Sequence, residues 1–194
     1  MTNVTALPRI GFWKATSRGF KGLFRFEGRT RRSEYWWYLL SVIIVFYAVY
    51  IPVFMCYTLN SSNIAHSYGK LEGTSLKVVI DSIVFFVVLA LPQVLLISAQ
   101  VRRLHDIGWS AFVPMVSFVA TLLTMLFFAH GTAMLIRGAE INALLQNDAI
   151  ASTGFIALLL FPVMQFIVFI CSLIDSNKVT NKYGDSPKYI EVEN

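Results

Sequence analysis

Charge is what this 194-residue sequence has least of. Only 14% of its residues are charged and 56% are hydrophobic, whereas an ordinary soluble domain carries about a quarter charged residues. That balance excludes the soluble globular class and places the chain among membrane proteins. Cysteine is almost as scarce: Cys56 and Cys171 are the only two, too few for a disulfide framework or a paired-cysteine metal site. Histidine occurs three times, at His66, His105 and His130. No serine lies in a G-x-S-x-G context and no glycine loop is built to cradle a phosphate, so the common hydrolase and nucleotide-binding signatures are missing. An apolar core close to Met1, which a cleavable signal peptide would need, is also lacking. The first membrane span is therefore expected to stay in the mature protein.

What the sequence has is long apolar runs. Four of them, at residues 35–57, 77–99, 109–129 and 153–175, reach the roughly 20 residues that a helix needs to cross a hydrocarbon core. They are about twice the length of a membrane-barrel strand and do not alternate, which excludes a barrel. The expected fold is all-α, a four-helix transmembrane bundle preceded by an N-terminal amphipathic interfacial helix. Its parts are a basic amphipathic cytoplasmic segment (1–34), a four-span membrane domain (35–175) and a cytoplasmic tail (176–194). Each span holds one proline, Pro52, Pro92, Pro114 and Pro162. These are either hinges or the ordinary prolines of membrane helices.

Orientation follows from lysine and arginine. With an even number of spans, the residues before span one, the connection holding Arg102 and Arg103, and the tail share one side, leaving Lys70, Lys77 and Arg137 on the other. Both termini are expected in the cytoplasm, with the protein multi-pass in the inner membrane. Cys56 and Cys171 then fall near opposite faces and cannot come within the roughly 7 Å between Cα atoms that a disulfide requires.

Residues 9–26 read as a helix. Lys14, Arg18, Lys21 and Arg25 are spaced by four, three and four, which gathers them on one arc. Phe12, Trp13, Phe20, Leu23 and Phe24 fall opposite. This is the pattern of an interfacial helix, aromatic side down and basic side toward anionic headgroups; the alternative is a loose basic tail that enforces topology. Gly19 and Gly22 weaken the helix. Thr30 is the expected N-cap of the first span, and Tyr35, Trp36, Trp37 and Tyr38 suit the headgroup level. Residues 58–76 read as a flexible connection, and 130–152 as a short outer helix.

Ionisable groups inside a bilayer point to function. The one candidate is Asp81, and Lys77 four residues earlier explains it as an interfacial pair. Gln93 and Gln165 could hydrogen-bond across the bundle. The histidines are expected on two sides of the membrane and His105 with Asp106 supplies at most two ligands, so neither a metal nor another cofactor is expected.

Three segments, FRFEGRTRRSEYWW, VRRLHDIGWS and TNKYGDSP, together resemble the bacterial inner-membrane proteins of the domain-of-unknown-function family 805. These typically show an F-x-G-R-x-x-R-x-E-[FY]-W start, an R-L-H-D-x-G-x-S centre and an N-x-[YF]-G-x-x-P end. The resemblance implies a four-helix protein of a bacterial cytoplasmic membrane and brings no activity with it. Trp109, where a polar residue is frequent, departs from the pattern.

All three motifs are expected at one depth on the cytoplasmic side. Gly28, Arg29, Arg32, Glu34, Arg102, Arg103, His105, Asp106, Asn181, Tyr183 and Gly184 form the candidate cluster. Either its arginines are all paired to Asp106 and Glu34 and staple the helix ends, or one is left for a phosphate or an acidic partner, with His105 as a pH-sensitive neighbour. The expected role is non-enzymatic, binding anionic lipid headgroups or a membrane-protein partner and no nucleic acid. A small-solute transporter or channel is the alternative, and a lipid-acting enzyme the third reading.

Overall fold

The computed structural model describes residues 3–67, 74–136 and 148–192. Lys70, Arg137, residues 137–147 of the expected outer helix, the Lys77–Asp81 pair and the side chain of His66 lie outside the described residues. The order is β1 (Asn3–Ala6), α1 (Phe12–Lys21), α2 (Arg32–Ser67), α3 (Thr74–Asp106), α4 (Phe112–Ile136), α5 (Asp148–Leu173) and β2 (Tyr189–Val192). The chain is mostly helical, and four stretches are long and apolar enough to span a membrane: Arg32–Cys56, Phe86–Asp106, Phe112–His130 and Ser152–Leu173.

Three local features depart from the expectations. Thr30 is not the cap of α2: the carbonyl of Arg31 accepts from the Tyr35 N–H at 3.0 Å, so Arg31 holds the cap position. The N–H of Thr30 is used elsewhere, donating to the Arg102 carbonyl at 3.1 Å. The α2 backbone also continues helically through residues 58–67, a stretch without glycine or proline to stop it. Finally, β1 and β2 pair antiparallel, with Asn3 opposite Val192 and Ala6 opposite Tyr189. Two four-residue strands at opposite ends of a chain carry no local signal of each other.

The chain divides into two compact units. One comprises Met1–Ile43, Gln93–Phe118 and Phe161–Asn194; the other comprises Ile44–Pro92 and Val119–Leu160.

The first unit has two small cores. Tyr35, Tyr38, Val42, Leu96 and Ala99 form one, with Phe20, Trp36, Leu39 and Leu95 packed on it. Leu104, Val168 and Cys171 form the other. Helix α1 seats itself through its small residues: Ala15 and Gly19, four apart on one face, are its buried positions. A Cβ on Gly19 would come within 2.0 Å of the Tyr38 ring, and one on Gly22 within 2.4 Å of the Arg102 guanidinium. The glycines that weaken the helix as a local element thus permit its close approach. Gly22 also ends it, so Arg25 lies beyond the helix that carries Lys14, Arg18 and Lys21. The aromatic face divides accordingly. Phe20 meets Tyr38 edge-on at 5.4 Å and Phe12 meets Trp37 at 5.8 Å, whereas Trp13 and Phe24 stay 81% and 86% exposed.

The second unit carries ring contacts and small residues. Phe46, Tyr50 and Phe54 stack in succession along α2 at 5.2 and 5.6 Å, and Phe86 of α3 stacks on Phe128 of α4 at 5.8 Å. Gly154 of α5 lies against the Phe127 ring, and Ala120 and Ala157 are buried. Small residues let helices approach closely where lipid offers no hydrophobic driving force between them.

Candidate functional site

The segment VRRLHDIGWS is the last turn and a half of α3 followed by its stop signal. Gly108 has φ +88°; its N–H donates to the His105 carbonyl at 3.1 Å, and Trp109 donates to the Leu104 carbonyl at 2.9 Å. That is a Schellman motif, which needs a left-handed residue where Gly108 stands. It leaves Arg102, Arg103, His105 and Asp106 on a regular helix, and Arg103 and Asp106, three apart, share a face.

Asp106 is completely buried and both of its carboxylate oxygens are taken. Arg29 donates to Oδ1 from Nε at 3.0 Å, and its Nη2 lies 2.9 Å from the same oxygen as an ion pair. Arg103 donates to Oδ2 through Nη1. The remaining donors of Arg29 go to backbone carbonyls: Val179 at 3.0 Å, Gly184 at 3.1 Å, Asn177 at 2.8 Å and Asp106 itself at 3.2 Å. All five guanidinium N–H groups are therefore engaged. Arg103 spends its other donors on Thr30, Ser172 and Ile174 carbonyls, and only its buried Nε has no partner. Arg32 donates to the neighbouring Leu173 carbonyl at 3.1 Å. Two arginines thus satisfy the open carbonyls at the C-terminal end of α5, where cations are also favoured by the helix dipole.

The tail closes over this triad. Asn181 and Gly184 exchange backbone hydrogen bonds, at 3.2 and 2.9 Å, around a turn with Gly184 at φ +121°. The Asn181 side chain accepts from the Tyr183 N–H and donates to the His105 carbonyl, both at 2.9 Å. The Tyr183 ring lies flat on His105, 3.7 Å between centroids, while His105 Nδ1 is 3.3 Å from the Gly28 carbonyl. Gly28, at φ +86°, turns the chain so that Arg29 enters the cluster.

The remaining candidates stand apart. Among the described residues Glu34 pairs only with Arg18, at 3.8 Å. Among the described residues Arg102 takes no carboxylate within ion-pair distance; it donates to the Ser98 carbonyl at 3.3 Å and covers Gly22. Lys14, Arg18, Lys21 and Arg25 are exposed. Gln93 and Gln165 do meet: Gln165 Nε2 donates to Gln93 Oε1 at 2.6 Å and to Ser117 at 2.8 Å, and Gln100 donates to Gln165 at 3.1 Å. Among the described residues, no three His, Cys, Asp or Glu side chains gather as a metal site would require.

Two contributors had no sequence signal of their own. Arg31 is buried and donates to the Leu7 and Pro8 carbonyls at 3.0 and 2.9 Å; in the run RTRR nothing distinguishes it from Arg32. Lys188 binds Asp175. That hydrogen bond holds the Asp175 carboxyl below its ordinary range, burial opposing it, and the same bond raises the Lys188 ammonium.

A family model described as "Protein of unknown function (DUF805)" matches residues 23–141. The match takes in FRFEGRTRRSEYWW and VRRLHDIGWS and ends before TNKYGDSP. Comparison with curated proteins and with solved structures gives no match.

Proposed function

The chain belongs to the DUF805 family, and from that premise we propose a non-enzymatic membrane protein whose N-terminal helix lies in the cytoplasmic interface of a bacterial inner membrane and gathers anionic lipid headgroups. The observation that carries this reading is the pairing of exposures on α1 and the turn after it. Trp13 and Phe24 are the most exposed large apolar side chains among the described residues, and Lys14, Arg18, Lys21 and Arg25 are exposed beside them. Apolar rings left in water beside a row of cations suit a surface that is apolar below and anionic above.

The arginine cluster around Asp106 supports the reading by elimination. Its guanidiniums are buried and committed to Asp106 and to carbonyls, so binding of anions falls to the exposed basic residues. The test is the lipid composition held around the full chain in nanodiscs of mixed phosphatidylglycerol and phosphatidylcholine. Wild type is expected to enrich phosphatidylglycerol, and K14Q/R18Q/K21Q/R25Q to lose most of that enrichment, each cation near the surface being worth about 1 kcal/mol. Equal enrichment in both proteins would sink the proposal.

A further inference from the structure

Besides the closed cluster, the first unit carries a groove of about 680 Å³ lined by charged and apolar side chains. Arg9, Arg32, Lys188 and Asp175 are its charged lining; Trp36, Trp37 and Leu40 are its apolar lining. Its walls are built by contacts already described. Arg31 draws the Leu7 and Pro8 carbonyls inward, which holds Arg9 beside the first turn of α2. The strand pairing adds Lys188, whose carbonyl accepts from the Leu7 N–H at 2.7 Å. Trp36 is braced edge-on by Phe169 at 5.8 Å and Trp37 by Phe12 at 5.8 Å.

Charge and polarity in the groove are both lopsided. Lys188 is neutralised by Asp175, but among the described residues no carboxylate lies within ion-pair distance of Arg9, Arg31 or Arg32. Ser33, which also lines the groove, has a hydroxyl without a partner. Trp36, Leu40 and Ile43, spaced by four and three, fall on one strip of α2, and Trp37, Leu40 and Ile43 are each 41% exposed. The strip leads from the arginines into the apolar stretch Arg32–Cys56.

We propose that this groove holds one anionic phospholipid, its phosphate between Arg9 and Arg32 and an acyl chain along Trp37, Leu40 and Ile43. A soluble phosphate ester would use the charged lining and leave the apolar strip uncovered. A zwitterionic lipid would bring a cation to a site whose only carboxylate among the described residues, Asp175, is already taken by Lys188, beside Arg9, Arg31 and Arg32. The inference rests on the reading that this end of the helices meets an anionic leaflet, yet it uses residues separate from the basic face of α1.

Native mass spectrometry of the full chain, released from nanodiscs containing phosphatidylglycerol or phosphatidylcholine, tests it. Wild type is expected to retain one phosphatidylglycerol per chain and no phosphatidylcholine. R9Q/R32Q is expected to bind it about 30-fold more weakly and R9Q alone about 5-fold, at roughly 1 kcal/mol per cation. R32K should stay near wild type. Arg9 is exposed and makes no hydrogen bond among the described residues, so R9Q reports even if loss of the Arg32 cap impairs folding. K14Q/R18Q/K21Q/R25Q should keep the retained lipid while losing the surrounding enrichment, so each proposal can fail alone. Undiminished retention in R9Q/R32Q would overturn the groove site, as would retention of phosphatidylcholine equal to phosphatidylglycerol. Displacement by glycerol phosphate as readily as by the lipid would overturn it too, by assigning the site to a soluble ester.

Discussion

The two units join their helices by different means. In the first, ion pairs and side-chain hydrogen bonds do the work: all ion pairs among the described residues fall there, as do the bonds between Gln93, Gln100, Gln165 and Ser117. In the second, the contacts between helices include the Phe86–Phe128 ring pair and the close approach of Gly154 to Phe127. The difference teaches where each kind of bond can be afforded. A guanidinium needs many acceptors, and helix C-terminal ends together with a folded tail offer free carbonyls. The middle of an apolar helix offers fewer, because its carbonyls are already bonded within the helix and take at most a second donor, as Leu95 does from the Tyr38 hydroxyl.

The sharpest way to break this comparison is Asp106→Asn. Two buried arginines would lose their counter-charge, and removing one partner of a buried ion pair typically costs about 3–5 kcal/mol. Denaturation in mild detergent should show that loss or leave no folded protein to measure; a variant as stable as wild type would mean the cluster holds nothing together. Of intermediate size is a paired glycine test, one in each unit. Gly19→Ala should cost about 1–3 kcal/mol, the usual penalty of overpacking, because the Tyr38 ring is anchored by its hydroxyl bond to the Leu95 carbonyl at 2.8 Å. Gly154→Ala meets a Phe127 ring without a polar anchor and should cost less. Melting temperatures check the order, and the reverse order would remove the distinction between polar anchoring and ring packing.

The smallest effect belongs to Lys188 and Asp175, a partly exposed pair worth about 0.2–1 kcal/mol. Because the folded Asp175 pKa is lowered, its contribution is present above the ordinary aspartate range and disappears as pH falls through the folded value. Because the Lys188 pKa is raised, its contribution is present below the ordinary lysine range and disappears as pH rises through the folded value. Stability against pH should therefore fall slightly more steeply at both extremes in wild type than in K188M, and parallel curves would dismiss the pair as a fastener.

Much of the fold was legible because membrane spans announce themselves by length and composition, as 35–57 and 153–175 do. Convergence of the three motifs was also legible, since an even number of spans puts Arg29, Asp106 and Asn181 at one end. What escaped was the assignment of partners. Arg29, Arg31 and Arg32 lie within four residues and are chemically identical, yet one enters the Asp106 cluster, one holds residues 7 and 8, and one caps α5. Their fates depend on which carbonyls surround them. The amphipathic pattern of residues 9–26 likewise leaves the packing face of the helix undefined, since it ranks side chains by polarity alone. The face of α1 that packs is set by Ala15 and Gly19, where two backbones can approach.

By itself, then, the sequence determined the helical class and the four spans, because these depend on hydrophobic length. Only the tertiary structure decided that Asp106 serves two arginines at once, that the chain ends meet as strands, and that Arg9 and Lys188 flank a groove on α2. Those features rest on contacts between residues far apart in the chain, and no local energy term distinguishes the right partner from the wrong one before the helices pack.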